Sequence, residues 1–87
     1  MKPMLVPLIG FLRGDTIGLV VLVHDHQTVA ELAQVVQQAA SVRVAPRDSA
    51  SVYRGAVKLD PDSTVVAAGL SALDRVDVVQ EQEPEEA

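Results

Sequence analysis

The stretches MLVPLIGFL, residues 4–12, and IGLVVLV, residues 17–23, decide the fold, because both are apolar at almost every position. Side chains in a β-strand alternate between the two faces of a sheet, so strands that are apolar at odd and even positions alike have two faces to cover. A chain of 87 residues with one predicted helix can cover only one of those faces itself. We therefore expect the second face to contact a partner protein.

Turn residues between these two strands predict a hairpin. The sequence RGD at residues 13–15 is typical of a tight turn, so the first strand should end near Leu12 and the second should span about 16–23. Pro7 conflicts with a central strand, because proline has no N–H group to donate to a neighbouring strand. We expect either a bulge at Pro7 or strand pairing that begins after it.

An amphipathic helix follows the hairpin. Thr28, with Glu31 three positions later, matches a capping box, and apolar residues then recur at helical spacing as far as Ala40. Gln37 is among the polar residues expected on the solvent side of this helix. Beyond it we predict a loop over 41–50 with a short extended segment at 42–44, strands at 51–54, 56–59 and 75–80, and one helical turn within 64–70.

The distribution of charge bounds the domain organisation and the partners. The formal net charge is −5, but four of the 12 acidic residues are glutamates in the last seven positions. We predict one domain over residues 1–80 and an acidic, disordered tail over residues 81–87. The domain itself is nearly neutral, and only 2% of the residues are aromatic, which argues against a nucleic-acid partner.

Residue types that carry chemistry are scarce. The sequence has no cysteine, and no apolar stretch approaches the roughly 20 residues of a membrane helix, so we expect a cytoplasmic protein without membrane contact. His24-Asp25-His26 is the one cluster with metal-ligand chemistry, and three neighbouring ligands are a thin set. Nucleophile and phosphate-loop motifs are absent. We expect no catalytic residue, no cofactor site and no metal site on this chain.

The order strand, strand, helix, strand, short strand, helical turn, strand is that of the β-grasp fold, and the chain resembles its ubiquitin-like version. This is an α+β fold with a mixed four- to five-stranded sheet and one main helix. In this arrangement the predicted core consists of Leu5, Ile9, Phe11, Ile17, Leu19, Val21, Val23, Val29, Leu32, Val36, Leu59, Val65, Leu70, Val76 and Val78. The predicted outer face of the sheet consists of Met4, Val6, Leu8, Leu12, Val20, Leu22 and Val79.

The loop sequence RVAPR at residues 43–47, placed just after the helix, and the ending VDVV at residues 76–79 carry a second resemblance. From Phe11 to about Gln80 the spacing is similar to that of the small γ subunit of the hydroxylase in bacterial toluene monooxygenases. The resemblance implies a non-catalytic accessory subunit of a cytoplasmic, multicomponent diiron hydrocarbon monooxygenase. It also implies that the partners are a large α subunit and a β subunit. The α subunit would hold the diiron centre and oxidise toluene, or an alkene such as isoprene, with dioxygen and electrons from NADH.

Two other functions remain open for a β-grasp domain. One is an interaction module or adaptor in an unrelated cytoplasmic complex. The other is a ubiquitin-like modifier or sulfur carrier, which needs a Gly-Gly end, whereas this chain ends Glu83-Pro84-Glu85-Glu86-Ala87. For the accessory subunit, the predicted partner-binding residues are Val6, Leu8, Leu12, Val20 and Leu22 on the outer face and Arg43 and Arg47 in the loop.

Overall fold

A computed structural model describes residues 4–15, 17–42, 44–47 and 49–80. Its elements are β1 (Leu5–Leu12), β2 (Gly18–His24), α1 (Val29–Ala39), β3 (Ala50–Arg54), β4 (Val57–Lys58) and β5 (Arg75–Gln80). The strands form one mixed sheet in the order β2-β1-β5-β3-β4, in which β1 runs parallel to β5 and the other pairs are antiparallel. The predicted ubiquitin-like β-grasp fold is confirmed. The predicted tail, residues 81–87, lies outside the described residues.

Pro7 is accommodated because of the direction in which its nitrogen points. It lies inside a continuous β1–β2 ladder, opposite Leu22, without a bulge. The N–H group of Ile9 donates to Asp74 O at 2.9 Å, on the β5 side. Because residues two apart in a strand point their nitrogens the same way, the nitrogen of Pro7 also points toward β5 and away from β2. Pairing of β1 with β5 begins only at Ile9–Arg75. The expectation of a bulge at Pro7, or of pairing that begins after it, is therefore wrong for β1 and β2, and only the pairing of β1 with β5 begins after Pro7.

The start of α1 is fixed by the predicted capping box. The hydroxyl of Thr28 accepts a hydrogen bond from Glu31 N at 3.1 Å, and the Glu31 carboxylate accepts one from Thr28 N at 3.0 Å. Each bond satisfies a backbone N–H that the helix itself leaves without a partner. The backbone N–H of Thr28, followed by its hydroxyl, lowers the pKa of Glu31, because both donate to the ionised carboxylate.

The core lies between α1 and the sheet face that the helix covers. Its buried apolar residues are Leu8, Leu12, Val21, Val23, Val29, Leu32, Ala33, Val36, Ala40, Val52, Val65, Leu70, Val76 and Val78. Val21 and Val23 of β2 and Val76 and Val78 of β5 are confirmed in the core, whereas Leu19 and Leu59 pack partly buried against this cluster. Ile17, predicted in the core, is 48% exposed instead.

The predicted orientation of β1 is wrong by one residue. Leu8 and Leu12, which we expected on the outer face, are 0% and 1% exposed and lie in the core, and Val6 packs against it. The outer face carries the odd-numbered positions of β1 instead, including Leu5 and Ile9. A shift of one residue moves every side chain of a strand to the opposite face. Because β1 is apolar at both sets of positions, its own sequence pattern does not choose between them.

Gly10 supplies the physical reason for the orientation that forms. It faces the helix, and a Cβ atom built at Gly10 would lie 2.7 Å from the Cγ2 atom of Val36. A larger residue there would hold α1 away from the sheet. The even-numbered positions of β1 therefore lie beneath the helix.

Gln37 is also placed differently from its prediction, since it is fully buried rather than exposed to solvent. Its Oε1 atom accepts hydrogen bonds from Arg47 N at 2.7 Å and from Gln80 Nε2 at 2.8 Å, and its Nε2 atom donates to Arg47 O at 3.1 Å. These bonds tie the loop after α1 to the end of β5. Within that loop the N–H group of Val44 donates to Ala40 O at 3.0 Å, which is a turn rather than the predicted extended segment.

Candidate docking surface

The sheet face opposite α1 carries a contiguous apolar patch across β1 and β2. We call it the outer apolar face and define it as Leu5, Pro7, Ile9, Val20 and Leu22. Cross-strand pairing places Pro7 beside Leu22 and Ile9 beside Val20. Val20 is 66% exposed, Leu22 is 60% exposed and Leu5 is 55% exposed. Exposed apolar residues that adjoin one another in this way are typical of interaction surfaces.

The size of this patch limits what it can do alone. Apolar side chains of this kind each offer on the order of 100 Å² to a partner, so the patch amounts to roughly 300–500 Å². A stable protein interface covers about 800 Å² on each partner. The surfaces around the outer apolar face must therefore contribute to any lasting complex.

Next to the apolar patch, the sheet surface becomes aromatic and charged. Phe11 lies over Gly18 of the neighbouring strand, where an added Cβ atom would come within 2.5 Å of the Phe11 ring. The guanidinium of Arg75 lies 4.1 Å from the centre of the same ring and 3.2 Å from a carboxylate oxygen of Asp77. Both contacts restrain Arg75 along the sheet.

The structure brings only part of the predicted partner-binding set to this surface. Val20 and Leu22 lie on the outer apolar face, as predicted. Leu8 and Leu12 are buried beneath the helix, so the structure removes them from the docking surface, and Val6 faces the same core. Arg47 is exposed in the loop that Gln37 holds, whereas Arg43 lies outside the described residues.

Leu5 and Ile9 are the residues of the outer apolar face that sequence reasoning assigned to the core. The available signal was Gly10, since a glycine within an apolar strand marks a close approach of another element. Had Gly10 been placed under the helix, alternation along β1 would have placed Leu5 and Ile9 on the opposite face.

The histidine cluster consists of two stacked rings beside a carboxylate. The rings of His24 and His26 stack with their centres 5.4 Å apart, and His26 Nδ1 lies 3.8 Å from Asp25. Over residues 4–15, 17–42, 44–47 and 49–80, no group of three or more His, Cys, Asp or Glu side chains could hold a metal ion. Over the same ranges, no helix is both long and apolar enough to span a bilayer.

Solved structures similar to this chain share its fold. A chain of toluene 4-monooxygenase, in the HD complex with the inhibitor 4-bromobenzoate, superposes with a TM-score of 0.81 at 24% identity, covering 90% of this chain and 100% of that chain. Ubiquitin of Caldiarchaeum subterraneum gives a TM-score of 0.71 at 13% identity, covering 94% and 100%. The ubiquitin-like domain of Plasmodium falciparum Dsk2 gives 0.68 at 13% identity, covering 90% and 100%. At these identities, the likenesses establish the ubiquitin-like fold.

The family is established by the sequence itself. No curated protein matches this chain significantly. The family model for toluene-4-monooxygenase system protein B, TmoB, matches residues 5–80. This range holds β1 to β5 and the helix, and therefore the whole described sheet. The resemblance inferred from the RVAPR loop and the final strand is confirmed: the chain belongs to the TmoB family, toluene-4-monooxygenase system protein B.

Proposed function

We propose that this chain is a non-catalytic accessory subunit of a multicomponent diiron monooxygenase hydroxylase that oxidises toluene or an alkene. It docks through the outer apolar face on the large α subunit, in an assembly that also contains the β subunit. Membership of the TmoB family supports the kind of assembly. The solved toluene 4-monooxygenase complex that contains a chain of the same fold supports it as well.

The single observation that carries the docking proposal is the exposure of Val20 and Leu22 beside a fully packed core. Val21 and Val23, at odd-numbered positions of β2, are 5% and 0% exposed, whereas Val20 and Leu22 on the other face are 66% and 60% exposed. The core of the chain thus uses only one face of β2. The other face remains available for burial against a partner.

In this proposal the oxidation chemistry belongs to the other components. The diiron centre, the reaction with dioxygen and the supply of electrons from NADH lie with the α subunit and its redox partners. The described residues of this chain supply an apolar surface and arginine side chains, which are suited to binding a protein. Its contribution is to stabilise the assembled hydroxylase.

Charge substitutions on the outer apolar face test this proposal. The chain is co-expressed with the α and β hydroxylase subunits of the same genome, and the complex is captured through a tag on the α subunit. We expect Val20→Lys and Leu22→Lys to reduce the captured chain by about tenfold or more, because a buried unpaired charge costs several kcal/mol. The amount of captured chain is measured by quantitative mass spectrometry.

Val57→Lys is the matched control, since Val57 is 63% exposed but lies on the short strand β4, away from β1 and β2. It should be captured like the unmodified chain. Circular dichroism and thermal unfolding of the free variants verify that they fold. Capture of a folded Val20→Lys/Leu22→Lys double variant at the unmodified level would refute the assigned face.

A further inference from the structure

The arginines in the described residues divide into two groups by their partners. Arg54 lies 3.4 Å from the Asp74 carboxylate and donates to Gly69 O at 3.1 Å, and Arg75 pairs with Asp77 at 3.2 Å. No carboxylate within the described ranges pairs with the guanidinium groups of Arg13 and Arg47. Within the part of the chain that the structure describes, these two positive charges thus have no acidic partner.

Arg13 is held at the far end of the outer face. Its N–H group donates to Val78 O at 2.8 Å, which extends β1 alongside β5 by one more residue. It has the same strand parity as Ile9, so its side chain lies on the outer side of the sheet. There its guanidinium carbon lies 5.9 Å from the centre of the Tyr53 ring. This contact directs the arginine across the sheet surface.

Arg47 reaches the same end of the sheet from the loop after α1. Both backbone polar groups of Arg47 are bound to the buried side chain of Gln37, at 2.7 Å and 3.1 Å. The side chain of Gln80 is anchored beside it, because Gln80 Nε2 donates to Ala45 O at 2.7 Å. The main chain that presents Arg47 is thus fixed by the core, although Arg47 itself is exposed.

Together these elements form a small cationic cleft. We call it the two-arginine cleft, a space of about 300 Å³ lined by Arg13, Arg47, Val79 and Gln80. Two like charges that line one cleft repel each other, and an anion between them relieves that repulsion. Guanidinium groups bind carboxylates with particularly favourable geometry. Val79 adds an apolar margin of the kind that strengthens an ion pair by excluding water.

We infer that the two-arginine cleft binds a carboxylate side chain on the hydroxylase subunit that covers the outer apolar face. This inference rests on the proposed function and names the chemistry of the partner surface. Four residues along β1 separate Ile9 from Arg13, which corresponds to about 13 Å. The partner therefore presents an aspartate or glutamate at about that distance from an apolar contact. The small area of the apolar patch supports the need for this second contact.

The test uses the assembled hydroxylase, immobilised through the α subunit and washed with increasing NaCl. We expect Arg13→Gln/Arg47→Gln to weaken retention of the chain about tenfold at low salt, since charge-assisted contacts at interfaces have effects of this size. The loss of retention with salt should also become less steep, because fewer ion pairs remain to be screened. Arg54→Gln is the control with the same change in side chain. The amount of Arg54→Gln chain retained should be within about twofold of that of the unmodified chain, because exposed ion pairs contribute little.

The outcome separates this inference from the proposed function. If Leu22→Lys releases the chain but the double arginine variant is retained with unchanged salt dependence, the docking face stands and the carboxylate site is refuted. If neither variant is released, the proposed function fails as well. Thermal unfolding of each variant verifies that the fold is intact.

The chain's own glutamates are the competing source of carboxylates, because Glu81 follows Gln80 directly in the sequence. The arginine substitutions are therefore repeated in a chain that ends at Gln80. If the arginines bind the partner, the double variant loses retention in the shortened chain as strongly as in the full chain. If the effect disappears in the shortened chain, the two arginines bind glutamates within residues 81–87 rather than the partner, and the inference is overturned.

Discussion

Among the described residues, Gln37 shows how a single buried polar side chain organises a loop. Its amide accepts from Arg47 N and Gln80 Nε2 and donates to Arg47 O, so both of its polar atoms are satisfied inside the protein. Burial of an amide is tolerated only when such partners are present. The loop that carries Arg47 is therefore positioned by a core residue of α1.

Replacing this amide should cost stability. We expect Gln37→Met to lower the free energy of unfolding by about 1–3 kcal/mol, because the Arg47 backbone loses its partners. Urea unfolding measures the change. Gln38→Met, on the exposed side of the same helix, is the matched control and should change stability by less than about 0.5 kcal/mol. Equal effects of the two substitutions would contradict this role of Gln37.

Gly10 carries a second prediction at the scale of one residue. Gly10→Ala places a methyl group within 2.7 Å of Val36 Cγ2, so we expect it to destabilise the fold by about 1–3 kcal/mol. Val36→Ala removes the atoms that collide. In that background Gly10→Ala should cost much less, and the coupling is measured by urea unfolding of all four proteins in a double-mutant cycle. Additive effects would show that the close approach does not limit the packing of α1.

At the scale of one element, the capping box links the helix to pH. The lowered pKa of Glu31 means that folding favours its ionised form. Its contribution to stability is therefore complete above the ordinary value of 4.5 and is lost as the pH falls through the lowered pKa. We expect the stability difference between the unmodified chain and Glu31→Gln to shrink as the pH falls below 4.5, measured by urea unfolding at a series of pH values. A difference that stays constant through the acid range would contradict this linkage.

The two faces of the hairpin predict opposite responses to one substitution. Leu8 is fully buried, so Leu8→Lys should lower the free energy of unfolding by more than about 4 kcal/mol or prevent folding. Leu22 is 60% exposed on the outer apolar face, so Leu22→Lys should change the free energy of unfolding by less than about 1 kcal/mol. Urea unfolding followed by circular dichroism compares them. If Leu22→Lys proved more destabilising than Leu8→Lys, the result would contradict the orientation of the hairpin seen in the structure.

At the scale of the whole molecule, the chain is a folded domain with one sheet face left uncovered by its own described residues. The helix covers one side of the sheet, and the outer apolar face lies on the other. Each side chain buried there contributes about 1.5–3 kcal/mol. Association itself costs about 4–15 kcal/mol, so the apolar contacts alone are close to balance. Polar contacts at the two-arginine cleft would then decide the affinity for the correct partner.

The isolated chain should therefore self-associate. We expect sedimentation velocity to show larger species as the protein concentration rises, because the outer apolar face has no partner to cover it. Leu22→Lys should restore the monomer, whereas Val57→Lys, at an exposed position of β4, should not. A stable monomer over a wide concentration range would contradict the interpretation of this face as a docking surface.

Local patterns in the sequence determined the elements of this protein and their order. The turn at 13–15, the capping box at Thr28 and Glu31, and the alternation in β5 each involve residues close together in the chain, so their chemistry is visible without a structure. The resemblance drawn from the RVAPR loop and the final strand agrees with the family whose model matches residues 5–80.

Only the tertiary structure decided which side of β1 meets the helix, where Gln37 lies, and which arginines share a cleft. Both faces of β1 are apolar, so its sequence pattern does not show which face meets the helix. That orientation depends on the contact between Gly10 and Val36, which are far apart in sequence. Gln37 is buried because Arg47 and Gln80 supply its partners, and Arg13 and Arg47 line one cleft because β1 ends beside β5. Contacts between distant segments are set by packing the whole sheet, and a local pattern does not contain them.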